Sequence, residues 1–290
     1  MWITQPLMMS RPWGGSEGLT NEYGCDPNKQ IGEVWVLSGL PDQETPLRWC
    51  DSTQSSLPSQ SIEALTGTQF PRFPIMIKVI EAKEWLSVQV HPNDPFARER
   101  ESEPWGKSEF WVVLRAHPEG QIITGLQQYS SLPSFLDFHS SEENPTDPFM
   151  YTPVQEGDGI YIPAKTVHAL GPNVRILEIQ QTSELTYRIH DWGRDREIHW
   201  GKAKTLLEKG CQPAQLIPKI ESFHCPNFSI FRRKEGVVEG FCSVFALQPI
   251  TIDHWSLPRY QLAVIPFKQR HWIQGDHIQI RLDSHGYCAG

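Results

Sequence analysis

Short apolar segments separated by prolines and glycines recur along the chain, and this pattern limits the fold more than any other feature. The 290 residues include 24 prolines and 21 glycines, which argues against a helical bundle because both residues interrupt helices. The segments are rich in valine, isoleucine, tyrosine and tryptophan and end at turn residues, as strands do. An all-β fold, a sandwich or a jelly roll, is therefore predicted. Candidate strands cover residues 31–39, 74–82, 86–90, 109–116, 120–126, 159–164, 174–181 and 185–192.

A few short helices are expected at the periphery of this β-structure. Residues 59–67 begin with a serine cap and stop at a glycine, and residues 132–143 and 200–210 are predicted surface helices. Segment 92–108 is a charged insertion between two strands and is placed to cover an opening. After about residue 215, further strand-like pieces predict a second, smaller β layer.

The charge balance and the cysteines limit the partners and the compartment. The chain has 26 basic and 34 acidic side chains, a net charge of −8, so no basic excess attracts nucleic acid. No apolar run reaches the length that crosses a membrane, and the first residues lack a signal-peptide pattern. The six cysteines are scattered without a Cys-x-x-Cys pair, which favours reduced thiols. We therefore expect a cytoplasmic protein without a nucleic-acid or membrane partner.

Two polar residues end the predicted strand in "WLSVQVHPND". Gln89 and His91 point to the same side because a strand has a period of two, and Pro92 then stops the strand. His168 follows the turn and strand in "GDGIYIPAKTVHAL", and Glu109 opens the strand "EFWVVL". Together these four side chains offer the nitrogen and oxygen ligands that suit a catalytic zinc site with one open position. The alternative is ordinary polar residues at strand ends, since a chain with 11 histidines allows coincidence.

Charged residues also occur in the strands of "LEIQQTSELTYRIHDWGRD". Glu178 and Gln180 share one strand face, and Arg188 lies on a later strand with apolar neighbours on the opposite face. An inward-facing glutamate or arginine costs free energy unless it has a partner or a function. A surface strand with ion pairs is the alternative interpretation.

Six stretches together resemble the signature segments of type I mannose-6-phosphate isomerases, most closely the shorter bacterial form. They appear in the family's order and cover roughly residues 11–200, whereas the C-terminal third matches loosely. The resemblance implies a cupin-type jelly roll: residues 1–215 form the catalytic part with helical insertions, and residues 216–290 form a degenerate second cupin-like half packed on the first. The stretches are "RPWGG", "IGEVWVLSG", "FPIMIKVIEAKEWLSVQVHPND", "GKSEFWVVL", "GDGIYIPAKTVHAL" and "LEIQQTSELTYRIHDWGR".

The resemblance implies reversible isomerisation of mannose 6-phosphate and fructose 6-phosphate, by zinc-assisted proton transfer through an enediol. One zinc per chain is expected. Arg188 matches the residue taken as catalytic, and Glu178 is the first candidate for the base, with hydroxide on the zinc as the second. The residues that match the zinc ligands are His91, Glu109 and His168, with Gln89 as a fourth ligand in some members.

The partner implied by the resemblance is a small sugar phosphate, and the chain is expected to be a monomer or weak homodimer. Ser87, Lys107 and Glu178 match positions that line the substrate site, and Lys107, ahead of Arg11 and Lys165, is the leading candidate for the phosphate. Lys165 replaces the family's usual glycine, and His190 its usual aromatic residue, two departures that would alter the shape of the pocket rim. Alternatives are a non-catalytic sugar-phosphate-binding cupin, a metal-dependent oxygenase and an isomerase of an unphosphorylated sugar.

Overall fold

A computed structural model describes residues 1–15, 18–24, 26, 28–127, 148–283 and 285–288. The described chain is mostly β-structure with a few short helices, as predicted. Its strands are Trp2–Thr4, Leu7–Gly15, Ile31–Leu37, Gly39–Leu40, Gln43–Glu44, Leu47–Trp49, Ser55–Ser56, Ile75–Ala82, Val88–Val90, Glu109–Ala116, Gln121–Leu126, Phe149–Pro153, Gly159–Ile162, Ala169–Leu170, Val174–Gln181, Tyr187–His190, Gln215–Ile217, Ser222–His224, Phe228–Glu239, Cys242–Ala246, Ile250–Ile252, Trp255–Leu257, Leu262–Ile265 and Arg270–Leu282. Its helices are Gly18–Tyr23, Ile62–Thr66, Asp94–Glu101, Trp200–Leu207 and His285–Cys288, with a 3-10 turn at Pro58–Gln60.

All eight candidate strands are present, and two of the three predicted helices are confirmed as Ile62–Thr66 and Trp200–Leu207. The third, at 132–143, lies outside the described residues. The charged insertion contains a helix that the sequence reading missed, Asp94–Glu101, which has a proline in its first turn. It ends at Ser102 in the left-handed conformation, so a serine replaces the glycine that usually marks a helix end.

The described chain divides into two compact units, each made of separate segments. The first unit contains Met1–Ile80, Leu177–Thr182 and Lys219–Gly290. Its ten-stranded antiparallel sheet packs around a core that includes Val244, Ile265 and Ile273. The main path across this sheet runs through Ser222–His224, Phe228–Glu239, Arg270–Leu282, Cys242–Ala246, Leu262–Ile265, Trp2–Thr4, Leu47–Trp49 and Ser55–Ser56.

The first unit also contains a strand buried on both faces. All seven residues of Ile31–Leu37 are buried, which is typical of a strand that has a packed layer on each side. This strand pairs antiparallel with Leu7–Gly15 and with Ile75–Ala82. Two charged residues, Glu33 and Lys78, lie within these buried strands, and buried charges require partners.

The second unit contains Glu81–Ile176 and Ser183–Pro218. In it, Glu109–Ala116 pairs with Gly159–Ile162, and Val88–Val90 pairs with Tyr187–His190. The core beneath the second pair consists of alternate strand residues and one face of a helix, because strands and helices bury residues with periods of 2.0 and 3.6. Its members include Val88, Val90, Tyr187, Ile189, Ala203, Leu206 and Leu207.

Three further expectations concern the whole chain. The four cysteines with described side chains are all free thiols, as expected from their scattered positions. No helix in the described ranges is long and apolar enough to cross a membrane. The assignment of residues 1–215 and 216–290 to a catalytic part and a second cupin-like half stays a prediction.

Candidate metal centre

The strand Val88–Val90 directs two polar side chains away from the core. Val88 and Val90 are fully buried in the hydrophobic core of the second unit, so the alternation places Gln89 and His91 on the other side. Gln89 forms a pair of backbone hydrogen bonds with His168, both 3.0 Å long. The imidazole rings of His91 and His168 therefore lie close together, with their centroids 4.8 Å apart.

A buried carboxylate completes the group. Glu109 is the first residue of its strand and has no exposed surface. Lys107 Nζ lies 3.0 Å from its Oε1, and Trp111 Nε1 donates a hydrogen bond of 3.0 Å to its Oε2. Sequence reasoning missed Trp111, although its position two residues after Glu109 on the same strand face was a usable signal. These contacts fix the carboxylate in one orientation.

Backbone carbonyls determine which ring nitrogen of each histidine carries the hydrogen. His91 Nδ1 lies 2.8 Å from the carbonyl oxygen of Leu185, and His168 Nδ1 lies 2.9 Å from that of Thr166. A carbonyl oxygen only accepts hydrogen bonds, so both Nδ1 atoms must donate. In the neutral rings, each Nε2 atom then presents a lone pair. This arrangement is typical of histidines that bind a metal through Nε2.

Burial keeps both rings neutral. Burial, and secondly the Lys107 ammonium, lowers the pKa of His91 to about 3. Burial also lowers the pKa of His168, although Glu109 opposes the effect. Burial alone would raise the pKa of Glu109, but the Lys107 ammonium holds it well below its usual range. At neutral pH the group therefore consists of two neutral imidazoles and one ionised carboxylate.

These protonation states leave lone pairs facing each other. His91 Nε2 lies 3.1 Å from Glu109 Oε1 and has no hydrogen-bond partner among the described residues. His168 Nε2 lies 3.7 Å from Glu109 Oε2. Ligands on a tetrahedral zinc at about 2.1 Å are about 3.4 Å apart, close to both distances. The donor set and its spacing thus fit a divalent cation, which would remove the repulsion between the lone pairs.

Gln89 is adjacent to this group. Its amide nitrogen is placed 3.3 Å from His168 Nε2, and rotating the amide would present its oxygen instead. The structure therefore brings together Gln89, His91, Glu109 and His168, together with Lys107. A direct role of Gln89 as a fourth ligand stays a prediction. Ser87, two residues earlier in the chain, is buried, and its proposed contact with substrate also stays a prediction.

Arg188 lies on the strand that pairs with Val88–Val90, and its Cα is opposite that of Gln89. It is half-buried, and its Nη1 donates a 2.6 Å hydrogen bond to the carbonyl oxygen of Glu197. Its Nε is buried and has no hydrogen-bond partner in the described part of the chain. Burial, followed by the charge of Arg196, lowers the pKa of Arg188. A guanidinium with an unused donor is available to stabilise negative charge on a ligand.

Glu178 belongs to a cluster in the first unit. Its Oε2 forms an ion pair of 3.0 Å with Lys78 Nζ, which also donates a 2.7 Å hydrogen bond to Gln180 Oε1. Lys78 thus contacts both Glu178 and Gln180, the two side chains that were predicted to share one face of their strand. Lys78 was not among the predicted site residues. The signal was a lysine within the apolar stretch "IMIKVIEA", where an unpaired charge is costly.

Arg11 also lies in the first unit, where its Nη2 forms an ion pair of 3.1 Å with Glu33 Oε2. Trp35 Nε1 donates a 2.8 Å hydrogen bond to the same oxygen. Burial would raise the pKa of Glu33, but Lys78 and Arg11 lower it below its usual range. Trp35 follows Glu33 by two residues, as Trp111 follows the buried Glu109, so the same local motif orients both carboxylates. Neither Glu33 nor Trp35 was predicted from the sequence.

The turn before His168 contains a strained lysine. Lys165 has a φ of +71°, in the left-handed region that glycine tolerates and other residues adopt at a cost. Its backbone N–H donates a 2.8 Å hydrogen bond to the carbonyl oxygen of His91, which fixes the turn next to the candidate metal ligands. Its Nζ hydrogen bonds to the carbonyl oxygen of Lys209.

The Lys165→Gly substitution is expected to stabilise the protein by roughly 0.5–1 kcal/mol, because relief of the left-handed strain exceeds the extra flexibility of the unfolded chain. The midpoint of urea denaturation measures the change. Lys165→Ala is the matched control, since it removes the same amine and retains the strain. If the glycine variant is no more stable than the alanine variant, strain at this residue is not significant.

Solved structures with the same architecture define the class of protein. The mannose 6-phosphate isomerase from Bacillus subtilis has a TM-score of 0.77 at 22% identity, covering 96% of this chain and 98% of that chain. A mannose 6-phosphate isomerase bound with zinc and yttrium has a TM-score of 0.77 at 15% identity, covering 97% and 99%. This chain is thus a cupin-fold protein, as the resemblance implied, and contains a buried group of metal-ligand side chains.

Sequence relatives identify the family. The family model described as phosphomannose isomerase type I, catalytic domain, matches residues 3–104. The mannose-6-phosphate isomerase of Streptococcus mutans is 32% identical over an alignment of 228 positions that covers 74% of this chain and 69% of the relative. A mannose-6-phosphate isomerase of Bacillus subtilis is 29% identical over an alignment of 215 positions that covers 70% of this chain and 67% of that relative. The chain belongs to the type I phosphomannose isomerase family, and it is an aldose–ketose isomerase.

Proposed function

We propose that this enzyme reversibly isomerises mannose 6-phosphate and fructose 6-phosphate, by proton transfer between C1 and C2 through an enediol, with one zinc ion per chain. The observation that carries the proposal is the buried group of two neutral imidazoles and one carboxylate, whose lone pairs converge without a hydrogen between them. The mannose-6-phosphate isomerases among its relatives support the substrate, and the zinc in one structural relative supports the metal.

Each protein group has a definite part in holding the metal. His91, Glu109 and His168 are the proposed ligands, with Gln89 as the fourth. Bound zinc would act as a Lewis acid that stabilises the negative charge developing on the substrate carbonyl oxygen. The carbonyl oxygens behind the two histidines keep Nε2 free, and the Trp111 N–H orients the carboxylate. The chain thus supplies a preorganised site, which costs little reorganisation when charge develops.

Two further residues are proposed for the reaction. The Arg188 guanidinium would stabilise the developing oxyanion through its unused donor, and Glu178 would move the proton. Ser87, Lys107 and Arg11 stay predicted substrate-binding residues. Lys107 and Arg11 each already pair with a carboxylate, so they hold their charge at a fixed position. A phosphate contact from either residue would therefore share the cation between two anions.

A coupled assay that follows conversion of mannose 6-phosphate to fructose 6-phosphate tests the proposed function. We expect turnover that a zinc chelator abolishes and added zinc restores, because the proposed reaction relies on a Lewis acid to stabilise the developing negative charge. Turnover that persists after complete zinc removal would contradict the zinc mechanism. Zinc binding without turnover would favour a sugar-phosphate-binding protein, and turnover of mannose but not its 6-phosphate would favour an unphosphorylated substrate.

The Glu178→Gln substitution tests the proposed base. It is expected to lower kcat by about 100-fold or more, because general base catalysis is typically worth 10²–10⁴-fold. Zinc content should stay unchanged, since Glu178 is not a proposed ligand. Glu184→Gln is the control: this glutamate is exposed in the same stretch of sequence, and its loss should leave the rate unaltered. Equal rates for both variants would exclude Glu178 as the base.

A further inference from the structure

We propose that the first unit contains a second anion site, a pocket that binds a phosphoryl group and is built from residues outside the candidate metal centre. The pocket has a volume of about 290 Å³ and lies against the strands Phe228–Glu239 and Arg270–Leu282. Its lining includes two arginines, Arg233 and Arg281, one from each strand. No part of the proposed isomerisation uses these residues.

The register of the two strands places the lining residues on one face. Phe231 pairs with Gln279, Ser229 with Arg281, and residue 233 with residue 277. Residues that are opposite each other in an antiparallel pair, and those two positions along, project from the same face. The side chains of Phe231, Gln279 and Arg281, with that of residue 233, thus converge there. Just beyond residue 233 the register shifts at a β-bulge, a feature common beside functional sites.

The two guanidinium groups are oriented by the same aromatic ring. The Arg233 and Arg281 guanidinium carbons lie 5.0 and 6.0 Å from the centroid of Phe231. The hydrogen bonds of Arg233 go to backbone carbonyls only, and neither arginine forms an ion pair within the described ranges. Arg232, on the opposite face, contrasts with them, because Asp276 neutralises it at 2.7 Å. Neither arginine of the pocket is thus paired with a carboxylate among the described residues, although Glu235 also lines the pocket.

Arg281 is the more buried of the two, and its Nε has no hydrogen-bond acceptor among the described residues. The Arg281 side chain contacts the Cys242 thiol, but this weak acceptor does not neutralise it, because burial raises the pKa of the thiol to about 12 despite the opposing charge of Arg281. A buried donor without an acceptor is destabilising, and more so when it is charged. A bound anion would supply the missing acceptor.

A third donor matches the shape of a phosphoryl group. His277 Nδ1 lies 2.7 Å from the carbonyl oxygen of Gly275, so its Nε2 accepts the 3.0 Å hydrogen bond from Gln279. The second amide hydrogen of Gln279 remains for a ligand. Two guanidinium groups and one amide would then each donate to one of the three terminal oxygens of a phosphoryl group. A carboxylate, with its two oxygens, would leave one of these donors without an acceptor. Glu235 also lines the pocket but is exposed, so water screens its charge.

Titration of the full-length protein, labelled with ¹⁵N-arginine, tests this site. The Arg281 Nε–Hε signal, assigned by its loss in Arg281→Lys, is followed on adding inorganic phosphate or glycerol phosphate at constant ionic strength. We expect a saturable shift with both.

The Arg233→Gln substitution, which removes an exposed side chain and should not affect folding, should weaken the affinity about tenfold, the effect of one charge-assisted contact. Tighter binding of the ester would indicate a phosphorylated metabolite, and tighter binding of phosphate the free ion.

The matched control is Lys234→Gln, because Lys234 is an exposed cation one residue away whose side chain projects from the opposite face of the strand. It should leave the affinity unchanged within about twofold, as expected for a screened surface charge. An Arg281 signal that does not shift, or that shifts without saturating, would overturn the proposal. An equal loss of affinity in Arg233→Gln and Lys234→Gln would also overturn it, because the effect would then be general charge screening.

Discussion

His91→Gln is expected to reduce bound zinc from one per chain to a small fraction, and kcat/KM by about a thousandfold. A Lewis acid stabilises the transition state by several kcal/mol, and each 1.36 kcal/mol corresponds to about a factor of ten in rate. Loss of the zinc therefore accounts for a decrease of this size. Glutamine is the chosen replacement because it is neutral, as His91 is at neutral pH. The Lys107–Glu109 ion pair therefore keeps both partners, and no buried charge is left unpaired.

Zinc content by elemental analysis and the coupled isomerase assay measure this result. The control is His117→Gln, because His117 is an exposed histidine in the same unit and should be dispensable for both zinc and rate. Circular dichroism reports whether the His91→Gln variant is folded. A folded variant with full zinc content and full activity would remove His91 from the proposed metal site.

Arg188→Ala is expected to lower kcat by about 100- to 1,000-fold, the typical effect of removing one donor to a developing oxyanion. Zinc binding and fold should be retained, because Arg188 contributes no proposed ligand and its side chain hydrogen bonds to one exposed carbonyl group. Arg188→Lys should recover only part of the rate, since an ammonium keeps the charge but not the planar donor geometry.

Steady-state kinetics with zinc analysis separates this effect from loss of the metal. Arg98→Ala serves as a matched control, because Arg98 is an exposed arginine on the helix Asp94–Glu101 of the same unit. If Arg188→Ala keeps its zinc and is fully active, the guanidinium has no part in the reaction. If it loses zinc, its function is to support the metal site rather than to stabilise charge.

The eight candidate strands could be predicted because the signal is local. The strand Ile75–Ala82 is a run of apolar and β-branched residues, and its boundaries agree with the sequence reading within a residue. The helix Asp94–Glu101 was missed because its sequence, "DPFARERE", has few apolar residues to show a helical period. Its stability comes from tertiary packing of Phe96, which joins the core of the second unit.

The residue types of the candidate metal centre were also readable from the sequence, whereas their contacts were not. Gln89 and His168 are 79 residues apart, and no local pattern specifies that their strands meet. Lys107 contacts Glu109 because of the conformation of the chain just before the strand. Trp111 contacts it because the pleat of the strand places residues 109 and 111 on the same face. The pairing of Lys78 with Glu178 likewise joins two distant strands.

The sequence by itself determined where eight of the strands lie, and that Gln89 and His91 share one face, because side-chain alternation depends only on local backbone geometry. The tertiary structure alone decided the protonation of the imidazoles. Carbonyl groups of Leu185 and Thr166 fix the hydrogens on Nδ1, and burial keeps both rings neutral beside an ionised carboxylate. The electrostatic environment of each ring depends on groups that are distant in sequence. Two neutral imidazoles whose Nε2 lone pairs face an ionised carboxylate therefore exist only in the folded chain.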